Sequence, residues 1–390
     1  MDGDPSYQLP PKPTSLLGYH RILSPTAAIK VSPLALGGLS IGNRWRSTYG
    51  TNQDPDKILN AYSGLGGNFI DASNDGQSED SESLIGEWME KRGVRDQMVI
   101  ATKYTAGYKK HDQANVPLQS NYAGNSAKSL LLSVRDSLRK LRTDYIDILY
   151  VQWWDFATSV EEVMRHLHAL VVARQVLYVG ASNIPAWVVV KANMFARSNG
   201  LTPFSLYQGR WNAGFRDLEA EIIPMCEDQG MAILPWGVFG GGQLRTMKQR
   251  EADREDEGSR PPKFLSERHA KVSEVLEAIG KTHGTSLQAV ALAYLFQQST
   301  YTFPVVGVQT VEHVLAMPDA LRVKLSKDEL DQIYEASPLN PHFPMNFLFH
   351  SRGEQAYHLG FNAADCQRDQ MAAYINAPPR QLPYQPHIER

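Results

Sequence analysis

Short apolar runs recur along the chain, and most are followed by longer stretches whose apolar residues repeat at helical spacing. The runs are PLALG (33–37), GNFID (67–71), QMVIAT (97–102), YIDILYVQ (145–152), VLYVGAS (176–182), FSLYQ (204–208), MAILPW (231–236) and TFPVVG (302–307). The stretches between them include KILNAYSGLG, SESLIGEWMEKRG, AKSLLLSVRDSLRKLR and VEEVMRHLHALVVAR. In the third, Leu130, Val134, Leu138 and Leu141 recur on one helical face, which predicts a buried stripe. Strand-like runs alternating with helical stretches predict βα units on a parallel sheet. Eight units fit an α/β fold of the (β/α)8 TIM-barrel type over residues 31–337. A doubly wound sheet is the runner-up, but it usually carries a Gly-rich nucleotide loop after its first strand. Here Gly37-Gly38 is followed by Leu39-Ser40-Ile41-Gly42, with no G-x-G-x-x-G.

Three segments fall outside this beat. Residues 1–30 are Pro-rich, then short and irregular, and read as an extended N-terminal arm. Residues 243–262, QLRTMKQREADREDEGSRPP, read as a long exposed loop after strand seven, its charges forming a solvated face. Residues 338–390 form a C-terminal extension. Its cluster of His342, Phe343, Met345, Phe347, Phe349 and His350 is too apolar for a simple tail, which favours a lid over one barrel mouth.

Composition narrows the function classes. The 39 basic and 42 acidic residues leave a net charge of −3, without the basic surplus expected of a nucleic-acid binder. An apolar content of 42% argues against a disordered chain, and no apolar run approaches the ~18 residues of a membrane span. The N-terminal MDGDPSYQLPPKP lacks the pattern of a signal peptide. Two cysteines, Cys226 and Cys366, suit a reducing compartment, so a cytoplasmic location is expected. The eleven histidines are scattered, with no His-Glu-x-x-His and no paired Cys motif, so no metal site is expected. The expected partner is a small-molecule substrate. Oligomeric state is not legible.

Barrel active sites form at the C-terminal ends of the strands. That rule selects Asp71, Lys103, Gln152 with Trp153-Trp154-Asp155, Ser182-Asn183, Gln208, and Trp236 followed by Gly240-Gly241-Gly242. Asp71 and Lys103 on neighbouring strands form either a proton-transfer pair or a structural ion pair, and the residues leave both readings open. The Gly triplet admits close approach of a phosphate or is simply a flexible loop. Trp236 stacks on a flat ligand or belongs to the core.

These strand ends, in this order, resemble the aldo-keto reductases, and the fungal aryl-alcohol dehydrogenase and norsolorinic acid reductase branch in particular. The matching stretches are SPLALGGLSIG, GNFIDASN, MVIATKY, DYIDILYVQWWD, VLYVGASNIPAW, LYQGRWNA, IIPMCEDQGMAILPWGVFGGG and FPVVGVQTVEH, spread over roughly residues 17–350. The resemblance implies a barrel that binds NADPH across its mouth and reduces aldehydes or ketones. Carried over by position, Ser182, Asn183 and Gln208 would hold the nicotinamide carboxamide and Trp236 would stack on its ring. Gly237, Gly240, Gly241, Gly242 and Gln243 would follow the pyrophosphate, with Gln309 and His313 toward the far phosphate.

The family's catalytic set is an Asp, a Tyr, a Lys and a His. Asp71 and Lys103 match, but Gly76 stands at the Tyr position and Gln152 at the His position. Gly76 offers no side chain, and Gln152 donates a hydrogen bond without a transferable proton. Relatives also place basic residues where Gln243, Gln309 and Thr310 stand, and an Asn at Met317, so weakened NADPH binding is expected, with Arg245 or Lys248 as compensating cations.

Three functions follow. The first is an NADP(H)-linked reductase of secondary-metabolite type acting on an aromatic or polycyclic carbonyl compound. Its protons would come from Lys103, Asp75, Tyr49 or Tyr104, and Trp153, Trp154, Tyr49, Tyr104 and Phe343 would shape the substrate pocket. The second is a non-redox dehydratase, isomerase or cyclase using the Asp71–Lys103 pair. The third is a non-catalytic nucleotide-binding relative.

Overall fold

A computed structural model describes residues 10–255, 266–349, 366–375 and 384. The chain enters through an antiparallel hairpin, β1 (Arg21–Ser24) and β2 (Ala27–Val31). Eight parallel strands follow. They are β3 (Ala35–Gly37), β4 (Phe69–Asp71), β5 (Val99–Tyr104), β6 (Ile146–Val151), β7 (Val176–Ser182), β8 (Leu206–Arg210), β9 (Ala232–Trp236) and β10 (Val305–Val306). Their order is β10-β3-β4-β5-β6-β7-β8-β9. The ring closes where Ile233 N–H donates to Tyr301 O at 2.8 Å and Phe303 N–H donates to Ile233 O at 2.9 Å. This is the (β/α)8 barrel that the alternation predicts, and each strand overlaps one of the eight apolar runs.

Alternation along each strand sorts the core into two layers. Ala35, Phe69, Val99, Ala101, Ile148, Leu206, Ala232 and Leu234 share one buried cluster, the inside of the barrel. Leu36, Ile70, Ile100, Leu149, Tyr207 and Ile233, one position out of step, belong to the larger cluster packed under the helices. The helix Ala127–Leu141 shows the outer layer's logic. The Ser126 hydroxyl caps it by accepting from Ser129 N–H at 3.3 Å. Leu130, Val134 and Leu141 are buried, and Leu138 packs partly buried against the same cluster.

The segment expected as an irregular arm is partly this hairpin. Leu23, Ala27 and Val31 join the barrel-interior cluster, so β1 and β2 plug one end of the barrel. Arg21 fastens the plug: its guanidinium donates to Thr302 O at 3.0 Å and to Thr300 O, and lies over the rings of Phe303 and Tyr384. Burial lowers its pKa to about 10. The sequence between Pro10 and Val31 reads as irregular because the strands are short and few of their side chains face inward.

The charged stretch after β9 also holds more structure than an exposed loop. Residues Met247–Glu255 are helical. Thr246 and Gln249 cap that helix reciprocally: Gln249 N–H donates to Thr246 Oγ1 at 3.1 Å, and Thr246 N–H to Gln249 Oε1 at 2.9 Å. Residues 256–262 of the stretch and His350 of the apolar C-terminal cluster lie outside the described residues. Phe343, expected in the substrate pocket, is 78% exposed beside Phe347 rather than packed as part of a lid. Tyr384 of the extension packs at the plugged end, against Arg21 and edge-on to Phe296.

Candidate active site

The inward positions at the strand ends gather polar side chains that the same positions lower down do not carry. Asp71 closes β4 two residues after the interior Phe69, and Lys103 on β5 follows the interior Ala101. The Lys103 ammonium donates to Asp71 Oδ2 at 2.7 Å and to Ala72 O at 2.7 Å. From β8, Gln208 Nε2 donates to Asp71 Oδ1 at 2.9 Å. All three side chains are buried. Asp71 thus has a donor on each oxygen, whereas Lys103 has two of its three N–H groups committed to protein oxygens.

Beneath this layer lies Tyr150, on an inward position of β6. The Lys103 ammonium stands 5.3 Å from its ring centre. Its buried hydroxyl lies beside the Gln208 side chain without a hydrogen bond of good geometry. Burial, then the nearby Asp71 charge, push the phenol well above its ordinary range, so it stays neutral. The ring fits because β7 has Gly180 opposite: a Cβ there would lie 2.6 Å from Tyr150 Cδ1.

Gln152 follows β6, its own N–H bonded to Tyr104 O at 3.1 Å. Its side-chain Oε1 is buried without a partner. Trp153 is 41% exposed at the mouth, while Trp154 is buried in the helix-side cluster. The loop carrying them is tied down by Asn125 and Asp155, which exchange two backbone-to-side-chain bonds of 2.8 Å. Burial opposes ionisation of Asp155, but donors from Asn125, Thr158 and Ala157 outweigh it and hold the carboxyl below its usual range.

Two sequence expectations shift here. Tyr104 is fully buried in the helix-side cluster, because it is one residue out of phase with Lys103 and the pleat turns it away from the mouth. It is therefore neither pocket wall nor proton source. Trp154 is likewise core rather than pocket lining. Tyr49 remains at the β3 loop, stacked on Trp45 with ring centres 6.1 Å apart. Asp75 is buried, accepting from Ser73 Oγ at 2.9 Å and paired with Lys110 at 3.4 Å.

Gly76 is buried on the loop after β4, and a Cβ built on it would stand 3.2 Å from both Ser73 O and Ser81 Cβ. The next three residues, Gln77, Ser78 and Glu79, all have left-handed backbone, with φ of 52°, 55° and 75°. Such a run is costly for residues with side chains and persists only when its surroundings fix it. The Gln77 amide donates to Leu39 O at 2.7 Å and accepts from Trp45 N–H at 2.8 Å, while Glu79 pairs with Lys109 and Lys140.

On the opposite wall, Asn183 has φ 50° and bridges three neighbours. Its amide nitrogen donates to Gln152 O and Ser182 Oγ, both at 3.0 Å, and its oxygen accepts from Trp236 Nε1 at 3.1 Å. Ser182 is buried and Trp236 is 38% exposed. Gly237, Gly240, Gly241 and Gly242 all have positive φ in a turn closed by Gly240 N–H to Gly237 O at 2.8 Å. Gln243 donates to Gly240 O at 3.3 Å. Gln309 donates to Tyr49 O at 3.0 Å, Thr310 caps the following turn, and burial with the nearby Arg245 lowers the His313 pKa. The side chains at 243, 309 and 310 are uncharged and stitch loops together.

Arg210, at the end of β8, escaped sequence reasoning. It lies two residues beyond Gln208 on the same inward phase, in register with Trp236. Counting that phase one step past the strand end is the signal that finds it. Among the described residues, no helix is long and apolar enough to cross a membrane, and no His, Cys, Asp and Glu cluster is placed to hold a metal.

Comparison with known proteins agrees with this arrangement. The family model described as "Aldo/keto reductase family" matches residues 33–338, all eight barrel strands included. The chain belongs to the aldo/keto reductase family. Aldo/keto reductases are NAD(P)H-linked oxidoreductases, and by that membership this chain is an oxidoreductase. It is 46% identical over 378 residues to norsolorinic acid reductase A of Aspergillus parasiticus, covering 96% of this chain and 95% of that protein. An aryl-alcohol dehydrogenase of Pestalotiopsis microspora is 46% identical over 348 residues, 88% of each chain. An aryl-alcohol dehydrogenase [NADP(+)] of Phanerodontia chrysosporium is 46% identical over 345 residues, 86% of this chain and 90% of that one.

Proposed function

We propose that this aldo/keto reductase interconverts an aromatic or polycyclic carbonyl compound and its alcohol in a secondary-metabolite setting, with an atypical proton supply. The supporting observation is the Lys103 ammonium, which has one N–H left after Asp71 and Ala72 take two. The relatives named for norsolorinic acid and aryl alcohols support the substrate class. So do the exposed Trp153 and Trp236 at the mouth. A cytoplasmic setting accords with the two free cysteines.

A nicotinamide dinucleotide would meet two unlike halves of this mouth. Ser182, Asn183, Gln208 and Trp236 converge as amides, a hydroxyl and an indole suited to a nicotinamide carboxamide and ring. At the phosphate end, Gln243, Gln309 and Thr310 offer no charge, so a 2′-phosphate gains little and binding of NADP(H) is weakened. The bound nucleotide would supply or accept the hydride. The chain's own residues handle the oxygen and its proton.

In the reducing direction the carbonyl carbon gains a C–H bond and the π pair moves onto oxygen. The free Lys103 N–H protonates that oxygen, and the lysine regains its proton from solvent. Gln152 holds the oxygen by a side-chain amide hydrogen bond. Gly76 contributes no hydroxyl, so the general-acid assistance, worth about 10²–10⁴-fold, is left to Lys103. Asp71, with a donor on each oxygen, serves to hold Lys103. That occupancy weighs against the alternative in which Asp71 is the base of a non-redox dehydration or isomerisation.

The test is NAD(P)H-dependent turnover of a panel of aromatic aldehydes and polycyclic ketones. Slow turnover by the wild-type protein should fall about 10²-fold or more in Lys103→Met. Equal turnover by the two proteins rejects Lys103 as the proton source.

A further inference from the structure

We propose that Arg21 anchors a binding site at the plugged end of the barrel, one that takes a small carboxylic acid with a flat, apolar body. A cavity of about 460 Å³ opens there, lined by Leu16, Tyr19, His20, Arg21, Leu321 and Tyr384 among others. That volume is within the range of ordinary small-molecule sites, about 300–1,000 Å³. Arg21 reaches Thr300 and Thr302, which precede β10, so the cavity lies at the N-terminal ends of the strands. Asp71 and Trp236 close their strands at the other end. The site is thus separate from the mouth and independent of the redox reading.

Arg21 brings a charge that the protein does not neutralise. A guanidinium has five N–H donors, and Thr302 O and Thr300 O take two of them. Nε has no partner and is not sealed inside the protein, so a donor still faces open space. The ring centres of Phe303 and Tyr384 stand 4.5 and 3.7 Å from the guanidinium carbon, so an incoming group meets the N–H edge rather than the π surface. Burial lowers the pKa to about 10, the phenols of Tyr384 and Tyr301 act the other way, and the group keeps its charge at neutral pH. Among the described residues, no carboxylate pairs with it. A largely buried arginine held only by carbonyls and rings is unusual, and its N–H edge matches a carboxylate bidentately.

The walls select the rest of the ligand. Leu321 is buried, Leu16 is partly buried against the same cluster, and Tyr19 is 39% exposed. The His20 ring is fixed by donating from Nε2 to Gly66 O at 2.8 Å. These surfaces are mostly aliphatic and aromatic, with the one cation at Arg21. A bare phosphate or sulfate would leave the apolar walls uncovered, and a neutral apolar molecule would leave Arg21 unpaired. An apolar acid satisfies both. The walls come from three stretches far apart in sequence: the arm, the turn Met317–Arg322 and Tyr384. The cavity exists only when these have folded together, so an occupant stabilises the native state.

The test is equilibrium dialysis of 2-naphthoate, and of the neutral 2-naphthamide, against the full chain without nucleotide, with melting curves for each variant. 2-Naphthoate should bind wild type and raise its melting temperature, and 2-naphthamide should bind at least about 10-fold more weakly. Arg21→Gln should lose about 10- to 100-fold in 2-naphthoate affinity, with Arg21→Lys recovering part of it. Because Arg21 also fastens the plug, Tyr19→Ala is the second variant. It opens one wall, leaves the Arg21 hydrogen bonds in place and should weaken 2-naphthoate as well. Trp236→Ala, at the mouth, should bind 2-naphthoate as wild type does. No binding by wild type, equal binding of acid and amide, or undiminished binding by folded Arg21→Gln and Tyr19→Ala overturns the inference. Binding lost in Trp236→Ala and kept in Arg21→Gln places the acid at the mouth and overturns it too, leaving the redox reading untouched.

Discussion

Removing the Lys103 side chain would leave the Asp71 carboxylate buried with Gln208 as its one remaining side-chain donor. Breaking one partner of a buried ion pair costs about 3–5 kcal/mol, whereas removing both charges is often close to neutral. Lys103→Met should therefore destabilise the protein by about that amount in urea unfolding, and adding Asp71→Asn should recover most of it. A cost below about 1 kcal/mol for the single variant would mean that the pair is solvated. Asp71 and Lys103 were legible in the sequence because barrel strands end at their chemistry, and both close short apolar runs. Tyr104 and Trp154 were misplaced for a reason of phase, since a single residue of pleat separates mouth from helix layer. Tyr150 and Arg210 were passed over because a tyrosine inside an apolar run reads as core and an arginine past a strand end reads as surface.

At the scale of elements, the long strands and amphipathic helices were legible and the short ones were not. A hairpin of four- and five-residue strands leaves too few positions for periodicity to register. Its value lies in the side chains it pushes into the barrel. Leu23 is fully buried there, so Leu23→Ala should cost about 2–5 kcal/mol, read as a lower melting temperature. A cost under about 1 kcal/mol would mean that the plug is peripheral. The helix Met247–Glu255 carried a readable signal in Thr246 and Gln249, three residues apart, but its dense charge masked it.

At the scale of the molecule, the proposed enzyme is a barrel that keeps Asp71 and Lys103 while Gly76 and Gln152 stand where the resemblance implies a Tyr and a His, and Gln243, Gln309 and Thr310 where it implies basic residues. Gly76→Tyr with Gln152→His should raise carbonyl reduction, up to about 10²–10⁴-fold, if proton supply limits the rate. The crowding at Gly76 by Ser73 O and Ser81 Cβ, each 3.2 Å from a built Cβ, must relax by a few tenths of an ångström for this gain to appear. No change in rate in a folded double variant would locate the limit elsewhere, in binding or release.

The most direct measurement follows the hydride itself. The protein is incubated with a convertible aromatic or polycyclic ketone and NADH or NADPH carrying deuterium at both C4 positions, and the product is weighed by mass spectrometry. The account predicts one deuterium on the carbinol carbon of the alcohol, formed slowly by wild-type protein and lost in Lys103→Met. A product that forms without deuterium, or label transfer that is unchanged in Lys103→Met, would contradict it.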